Sequence, residues 1–391
     1  MLGVYGRLFD RPEARRLVAA SAAARLAIGA YALPLLLAVQ EATGSFAAAG
    51  LAAGGFSAGV ALAAPVRGRL VDRRGSRVAL PAMALVSGAA LAVAAILAGT
   101  APAAVLVLAA AVAGASTPPL VASMRLEWQR MLGAPGDERL AAAYAFEPGL
   151  QTALFVVGPL LAAAGIATIG ARATLAACAG VLLAGSIAFA AVAGSEAQPT
   201  TEGARSPIRL PGVMTLVLAT ALADVSLGGV DVIVPAFAEA RGRPEVAGVL
   251  LALFAAGAVA GALVYGARRR PGAPATQLVV VAVASAATCA VLAAPGAFLP
   301  LAPLLVVAGA PSAIQWAAAS VALDRATGGH AGAEAYTWLS TANAIGIGIG
   351  TVAGGAAVDR WGTGTAFLLV AAGPLLAAVA VALRRGTLGQ A

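Results

Sequence analysis

Long apolar stretches separated by short polar segments make up most of the chain. Twelve of them contain about 20 residues each, the length that an α-helix needs to cross a hydrocarbon core of about 30 Å. The pattern therefore predicts an all-α membrane protein with twelve transmembrane spans. They lie roughly at 15–38, 46–66, 78–99, 102–124, 141–164, 173–193, 211–238, 246–266, 277–295, 298–322, 334–358 and 364–383.

The longest polar break, from Ser195 to Leu210, divides the spans into two sets of six. We expect an N-terminal six-helix bundle over residues 1–194, a linker over 195–210 and a C-terminal six-helix bundle over 211–391. The first span should remain in the mature protein, because the segment before it lacks the short apolar region and cleavage site of a signal peptide.

The two halves also resemble each other in sequence. A shift of 192 residues superposes Ala143-Tyr144 on Ala335-Tyr336, Phe146 on Trp338, Gln151 on Asn343, Gly158 on Gly350 and Gly170 on Gly362. A shift of 193 superposes Gly68-x-Leu70-Val71 on Gly261-x-Leu263-Val264. A parallel repeat of two halves is typical of some transporters. Coincidence within a small amino-acid alphabet is the alternative.

The distribution of arginines between the two sides predicts the orientation of the chain in the membrane. The 391 residues have a mean hydropathy of +0.91, and all 25 basic residues are arginine. With the N-terminus in the cytoplasm, 20 arginines lie on the cytoplasmic side and 4 on the other. Because cytoplasmic loops carry the excess of basic residues, we expect both termini and the linker to be cytoplasmic, in a multi-pass protein of the inner or plasma membrane. The net charge of +8 then faces anionic lipid and gives no reason to expect nucleic acid.

Few residues could hold a metal or a cofactor. Cys178 and Cys289 lie in apolar spans without partner spacing, and His330 is the single histidine. A nucleotide-binding loop of the G-x-x-x-x-G-K-[ST] type would need a lysine, which the chain lacks. We expect no cofactor, no metal and no enzymatic activity. A membrane-embedded enzyme is the distant alternative, and a channel is disfavoured by the repeat.

One polar loop between the second and third spans carries the most specific signal. Its pattern, G-x-L-x-D-R-x-G-x-R, is formed by Gly68, Leu70, Asp72, Arg73, Gly75 and Arg77. This pattern resembles the loop signature of the major facilitator superfamily of transporters. The resemblance implies two six-helix bundles that rock about a central cavity, with this loop as a conformational switch. In that role Asp72 faces the positive N-terminus of a helix in the other half, Gly68 allows close helix approach and Gly75 permits a sharp turn.

Ionisable residues inside the spans are the candidates for coupling, because charge is costly in lipid. On a continuous seventh helix, Asp231 lies about 10.5 Å beyond Asp224 and about 20° around the axis, so the two acids share a face. Arg25 needs an acidic partner, either Asp224 or Glu147. A fixed ion pair is the alternative role for each acid. The expected residues of proton coupling and of the substrate cavity are Arg25, Glu147, Gln151, Asp224, Asp231 and Asn343.

Two further motifs are weaker. Gly158-Pro159 in the fifth span resembles the centre of the antiporter motif of drug-exporting members, although Ala162 and Ala163 replace its later glycines. It predicts a helix kink. Val358-Asp359-Arg360-Trp361-Gly362 resembles part of the signature, but it follows the eleventh span on the outer face, and we interpret it as a helix-end turn.

Together these features predict a monomeric secondary active transporter, embedded in the lipid bilayer, whose partners are a small organic solute and protons. Proton-coupled efflux by alternating access is the leading hypothesis, and a sugar or metabolite uptake permease is the alternative. Polar and aromatic groups inside spans could contribute to a solute pocket. They are Tyr31, Gln151, Gln315, Trp316, Trp338 and Asn343.

Overall fold

The computed structural model describes residues 9–132, 138–194, 207–267, 274–294, 296–327 and 333–388. The described residues form helices and no strand. The α-helices are α1 (Pro12–Ala30), α2 (Ala32–Thr43), α3 (Phe46–Leu97), α4 (Ala103–Ala115), α5 (Leu120–Leu132), α6 (Glu138–Val192), α7 (Pro211–Ala223), α8 (Val225–Glu239), α9 (Ala247–Ala267), α10 (Pro274–Val291), α11 (Phe298–Ala326) and α12 (Ala333–Leu383). Short 3₁₀ helices cover Pro207–Arg209, Pro244–Val246 and Arg385–Leu388.

Three helices are too long for a single membrane crossing. A straight helix of 52 residues, the length of α3, would extend about 78 Å. Each long helix is interrupted by one glycine with positive φ: Gly75 (71°) in α3, Gly170 (83°) in α6 and Gly362 (78°) in α12. Only glycine adopts this backbone region without steric strain. Each of the three helices therefore consists of two segments joined by a tight turn.

The described residues include nine candidate membrane spans by length and hydropathy, and the shorter apolar helix Ala275–Val291. Two of the nine, Gly149–Val192 and Ala335–Leu383, have 44 and 49 residues and contain one of the glycine turns. Division at these turns gives a count consistent with the twelve predicted spans.

The first and seventh spans are broken where we predicted continuous helices. Tyr31 ends α1 and precedes α2, and Asp224 ends α7 and precedes α8. Pro34 explains the first break, because its ring excludes a helical hydrogen bond to Ala30. Next to the second break, the Ser226 hydroxyl donates to the Ala223 carbonyl at 2.9 Å in competition with the helix ladder. Tyr31 and Asp224 are 193 residues apart, one of the two shifts that relate the halves.

The buried apolar core follows the division into two halves. One cluster contains residues between Ala14 and Ala193, joined by Val232, Ala238 and Ala247 of the C-terminal half. Three smaller clusters lie between Val213 and Leu388. Small residues bring helices together closely within each half, as at Gly158, where an added Cβ would lie 2.7 Å from the Gly29 carbonyl carbon.

We call the end of the bundles that carries Gly68–Arg77 the signature face, and the other end the opposite face. The halves meet near the opposite face, where α3 packs on α12. A Cβ on Gly50 would lie 2.3 Å from the Thr351 carbonyl oxygen, and one on Gly355 would lie 2.2 Å from the Phe46 carbonyl oxygen. Backbone thus lies against backbone across the two halves at this face.

Candidate functional site

Arg25 is the centre of a buried polar network in the N-terminal half. Its Nη1 lies 2.7 Å from Glu147 Oε2, and its Nε and Nη2 donate to Gln151 Oε1 at 2.8 and 2.6 Å. Arg25 and Glu147 are each 2% exposed. The partner of Arg25 is therefore Glu147 and not Asp224, and both members of the pair are buried in protein.

Trp128 completes this network and was missed by the sequence analysis. Its indole Nε1 donates to the second carboxylate oxygen of Glu147 at 3.1 Å, and the side chain is fully buried. Arg130, on the same helix, forms ion pairs with Glu127 and Glu13. The signal that could have found Trp128 is helical spacing, since it shares the buried face of α5 with Leu120, Met124 and Met131.

Asp224 occupies the break between α7 and α8 and is 7% exposed. The Asn343 amide Nδ2 donates to its Oδ2 at 2.9 Å. No basic residue of the described chain forms an ion pair with this carboxylate. A buried carboxylate without a cation is costly, so a proton or a cationic ligand would stabilise it.

In both halves, an amide side chain at the equivalent position hydrogen-bonds to a buried charged group. Gln151 and Asn343, which are related by the 192-residue shift, each bind the charged group of the helix beside them, Arg25 on α1 and Asp224 on α7. The N-terminal half contains a compensated ion pair, and the C-terminal half contains an acid with an amide partner only.

A small cavity adjoins Asp224 inside the C-terminal half. Its volume of about 20 Å³ has room for roughly one water molecule. Gln315 lines it and is 4% exposed, and its Oε1 atom accepts no hydrogen bond from the part of the chain that the structure describes. Trp316, the next residue, is 38% exposed and does not line the cavity. Gln315 therefore joins the site, and Trp316 does not.

Asp231 is half-buried on α8, about two turns beyond the helix break at Asp224. It forms no hydrogen bond or ion pair with any other described residue. Tyr31, at the break between α1 and α2 of the other half, lies at a similar depth: Gln40 on α2 hydrogen-bonds to Glu239 on α8 at 2.5 Å, and Tyr31 and Asp231 precede these two residues by nine and eight positions. Tyr31 packs on Phe56 with ring centroids 4.2 Å apart. Asp231 therefore lies across the interface from an aromatic pair.

The signature loop is only partly described. Gly75 forms the turn in α3, while the side chain of Asp72 lies outside the described residues. Gly68 has no atom within 4 Å of an added Cβ, so the close approach implied by the resemblance is not made in this conformation. Leu70 packs against the N-terminal core, and Arg73 and Arg77 are exposed.

Gly158 and Pro159 lie at helix contacts. Gly158 packs on Gly29 of α1, and the Pro159 carbonyl oxygen is 2.4 Å from an added Cβ on Gly248 of α9, in the other half. The non-helical residue inside α6 is Gly170. His330 lies outside the described residues. Among the described residues, no group of three or more His, Cys, Asp or Glu side chains could hold a metal ion.

Solved structures of transporters share the fold of this chain. A mutant of the nucleoside transporter NupG superposes with a TM-score of 0.77 at 13% identity, over 94% of this chain and 98% of that one. The chain has the major facilitator fold. A mutant of the peptide transporter POT gives a TM-score of 0.72 at 14% identity, over 96% and 94% of the two chains. NupG itself gives 0.72 at 12% identity, over 96% and 99%. No family model matches the chain, and no similar sequence was found among curated proteins.

Proposed function

We propose that this protein is a secondary active transporter that exports a small organic solute in exchange for protons by alternating access. Buried ionisable groups at the same level of both halves carry the proposal: the Arg25–Glu147 ion pair with Gln151 in one, and Asp224 with Asn343 in the other. Charge is retained inside a membrane protein where it moves ions or solutes. A carrier coupled to protons needs carboxylates that bind and release them, and Glu147, Asp224 and Asp231 are the candidates.

The fold supports this mechanism, since transporters of nucleosides and peptides share it. The halves are in contact near the opposite face, which is what alternating access requires of a state closed at that end. In this state the solute path would open toward the signature face. In the other state, Asp72 would close the signature face. We further propose that the protein acts as a monomer, with bundles over 1–194 and 211–391, in the cell membrane with both termini cytoplasmic.

Reconstituted vesicles test the coupling. We expect a pH gradient to drive uphill transport by the native protein, and we expect at least one of Glu147→Gln, Asp224→Asn and Asp231→Asn to abolish uphill transport while downhill exchange survives. Glu245→Gln is the control, because Glu245 is a partly exposed acid paired with Arg243 away from the site. Uphill transport by all three variants would refute coupling through these acids. Inverted vesicles show whether the direction is export or the uptake of a sugar or metabolite.

A further inference from the structure

The acids of the C-terminal half outnumber the cations available to them. Arg25 is occupied by Glu147 and Gln151, and no other described arginine forms an ion pair with Asp224 or Asp231. With both acids ionised, the interface carries a net negative charge. A ligand bound there would have to compensate it, since an unpaired charge in a poorly solvated site is unfavourable.

An aromatic pair in the other half lies at a similar depth to Asp231, because α2 and α8 are joined by the Gln40–Glu239 hydrogen bond eight to nine residues further along both helices. Tyr31 and Phe56, which pack together, belong to the N-terminal half, and Asp231 belongs to the C-terminal half. Aromatic faces attract organic cations through the ring quadrupole, and a carboxylate attracts the same cations by charge. Gln315 and Asn343 add amide groups deeper in the C-terminal half.

We propose that the transported solute is an organic cation, bound at the interface of the halves by Asp231 and the Tyr31–Phe56 pair, with Asp224 as the second acidic group. This rests on the proposed function and specifies its substrate class. An ammonium or amidinium group fits the carboxylate side, and its apolar substituents fit the aromatic side. The site disfavours carboxylates, sulfonates and phosphates because they would repel both acids.

Three probes of similar shape and different charge test this on the purified full-length protein. They are benzyltrimethylammonium (cation), benzyl methyl sulfone (neutral) and benzylsulfonate (anion). We expect only the cation to raise the unfolding temperature and quench tryptophan fluorescence in a saturable way. Asp231→Asn should weaken its binding by roughly 30-fold or more, and Tyr31→Leu should weaken it less. Glu245→Gln should leave binding unchanged.

Equal binding of the three probes, or unchanged binding by Asp231→Asn, would overturn cation recognition. These outcomes are separable from failure of the proposed function. A neutral or anionic solute transported uphill by a pH gradient would refute the cation site and leave the transporter proposal intact. Saturable binding of the cation without transport of any solute would support the site and refute transport.

A second, independent observation concerns the opposite face. Asp359, near the turn in α12, accepts hydrogen bonds from the Ser45 hydroxyl (2.6 Å), the Phe46 amide (3.0 Å) and the Ala47 amide (2.8 Å). These groups form the N-terminus of α3, in the other half. A carboxylate at this position satisfies free amide groups and complements the positive end of the helix dipole. Gln40 and Glu239 add a hydrogen bond between the halves at 2.5 Å.

We infer that Asp359 is a latch that holds the halves together at the opposite face. Sequence reasoning assigned Asp359 only to a helix-end turn, because its partners are more than 300 residues away. The latch is an acid at a helix N-terminus, the same chemistry that the resemblance implies for Asp72 at the signature face. The two acids would then close opposite ends of the protein in alternate states.

A cysteine introduced at a buried position of this face measures its opening, because a thiol reagent reacts with it only when the two halves separate. Thr351 is 2% exposed and packs on Gly50 and Gly54. We therefore place Thr351→Cys in a background with Cys178→Ala and Cys289→Ala. Asp359→Asn should raise its labelling rate by roughly 2- to 5-fold, while Arg360→Gln, a change of the adjacent exposed charge, should leave it unchanged. Equal rates in both variants would refute the latch.

Cross-linking gives a second measurement. Ser45→Cys combined with Asp359→Cys in the same background should form a disulfide that stops transport, and reduction should restore it. Unchanged transport by the fully cross-linked protein would show that the opposite face does not open, which would also refute the latch.

Discussion

Buried charge is compensated differently in the two halves. The Glu147 carboxylate compensates the charge of Arg25 and accepts from its Nη1. The Gln151 amide oxygen accepts from the other two guanidinium nitrogens, Nε and Nη2. Asp224 has only the Asn343 amide. Asp224, at the break between α7 and α8, therefore depends more than Glu147 does on a proton or a ligand to compensate its charge.

The ion pair makes a testable contribution to stability. Glu147→Gln leaves Arg25 buried without its carboxylate, which should reduce the free energy of unfolding by about 3–5 kcal/mol and lower the unfolding temperature in detergent. The double change Arg25→Met with Glu147→Leu removes both charges and should recover much of the loss. Glu245→Gln, at a surface pair, should leave the unfolding temperature unchanged. If the double change is no more stable than Glu147→Gln, the cost does not arise from the unpaired charge.

Helices of this protein pack through glycine rather than through large side chains. An added Cβ on Gly350 of α12 would lie 2.0 Å from the Val225 carbonyl oxygen, and one on Gly228 of α8 would lie 2.0 Å from the Ile347 carbonyl oxygen. Close approach of this kind is what small residues permit between membrane helices. The α8–α12 contact depends on it directly.

Alanine substitutions test this packing. Gly350→Ala places a methyl group against backbone that cannot rotate away, and it should reduce the free energy of unfolding by about 1–3 kcal/mol. Gly180→Ala is the matched control, because no atom lies within 4 Å of its added Cβ. Better helix propensity should make that variant equal to or slightly more stable than the native protein. Equal thermal stability of the two variants would show that the helices accommodate the methyl group by moving apart.

At the scale of the whole molecule, the conformation is asymmetric between the two ends. The halves are in contact at the opposite face through Asp359, Gln40 and the glycines of α3 and α12. At the signature face, Gly68 has open space around it. A transporter that alternates between two states needs contacts of comparable strength at each end, so that neither state is trapped.

We expect Asp72 to stabilise the other state of the transport cycle, in which the signature face is closed. Asp72→Asn should remain folded and membrane-inserted but transport more slowly, because the expected contact between its charge and a helix dipole is worth about 0.3–2 kcal/mol in one state only. Vesicle transport measures the rate, and Arg74→Gln is a control from the same loop. A native rate in Asp72→Asn would refute the switch role.

Orientation is tested by cysteine labelling in intact cells, in a background with Cys178→Ala and Cys289→Ala. Arg74→Cys and Arg209→Cys should resist a membrane-impermeant reagent, and Trp361→Cys should react, because all three positions are exposed and only the last lies on the predicted outer side. Permeabilised cells should label all three. The reverse pattern in intact cells would overturn the cytoplasmic placement of the termini and of the signature loop.

Several features of the fold were predictable because they depend on local sequence. Membrane-length apolar stretches predict helices, since backbone groups in lipid must be paired within the segment. Glycine at positions 75, 170 and 362 permits turns that join adjacent segments. The break at Tyr31 was missed although Pro34 is a local signal for it. The break at Asp224 was not predicted, because it lies beside a side-chain hydrogen bond that competes with the helix ladder and that only the structure shows.

The sequence by itself determined the membrane class, the likeness of the two halves and the set of charged residues inside the spans, because hydropathy and charge are properties of each segment alone. Only the tertiary structure decided which residues are partners. It paired Arg25 with Glu147 rather than Asp224, brought Trp128 into the same network and joined Asp359 to the N-terminus of α3. These contacts link positions far apart in the chain, and their identity depends on how helices approach and rotate. Packing in three dimensions fixes that geometry, and the pattern along one dimension does not.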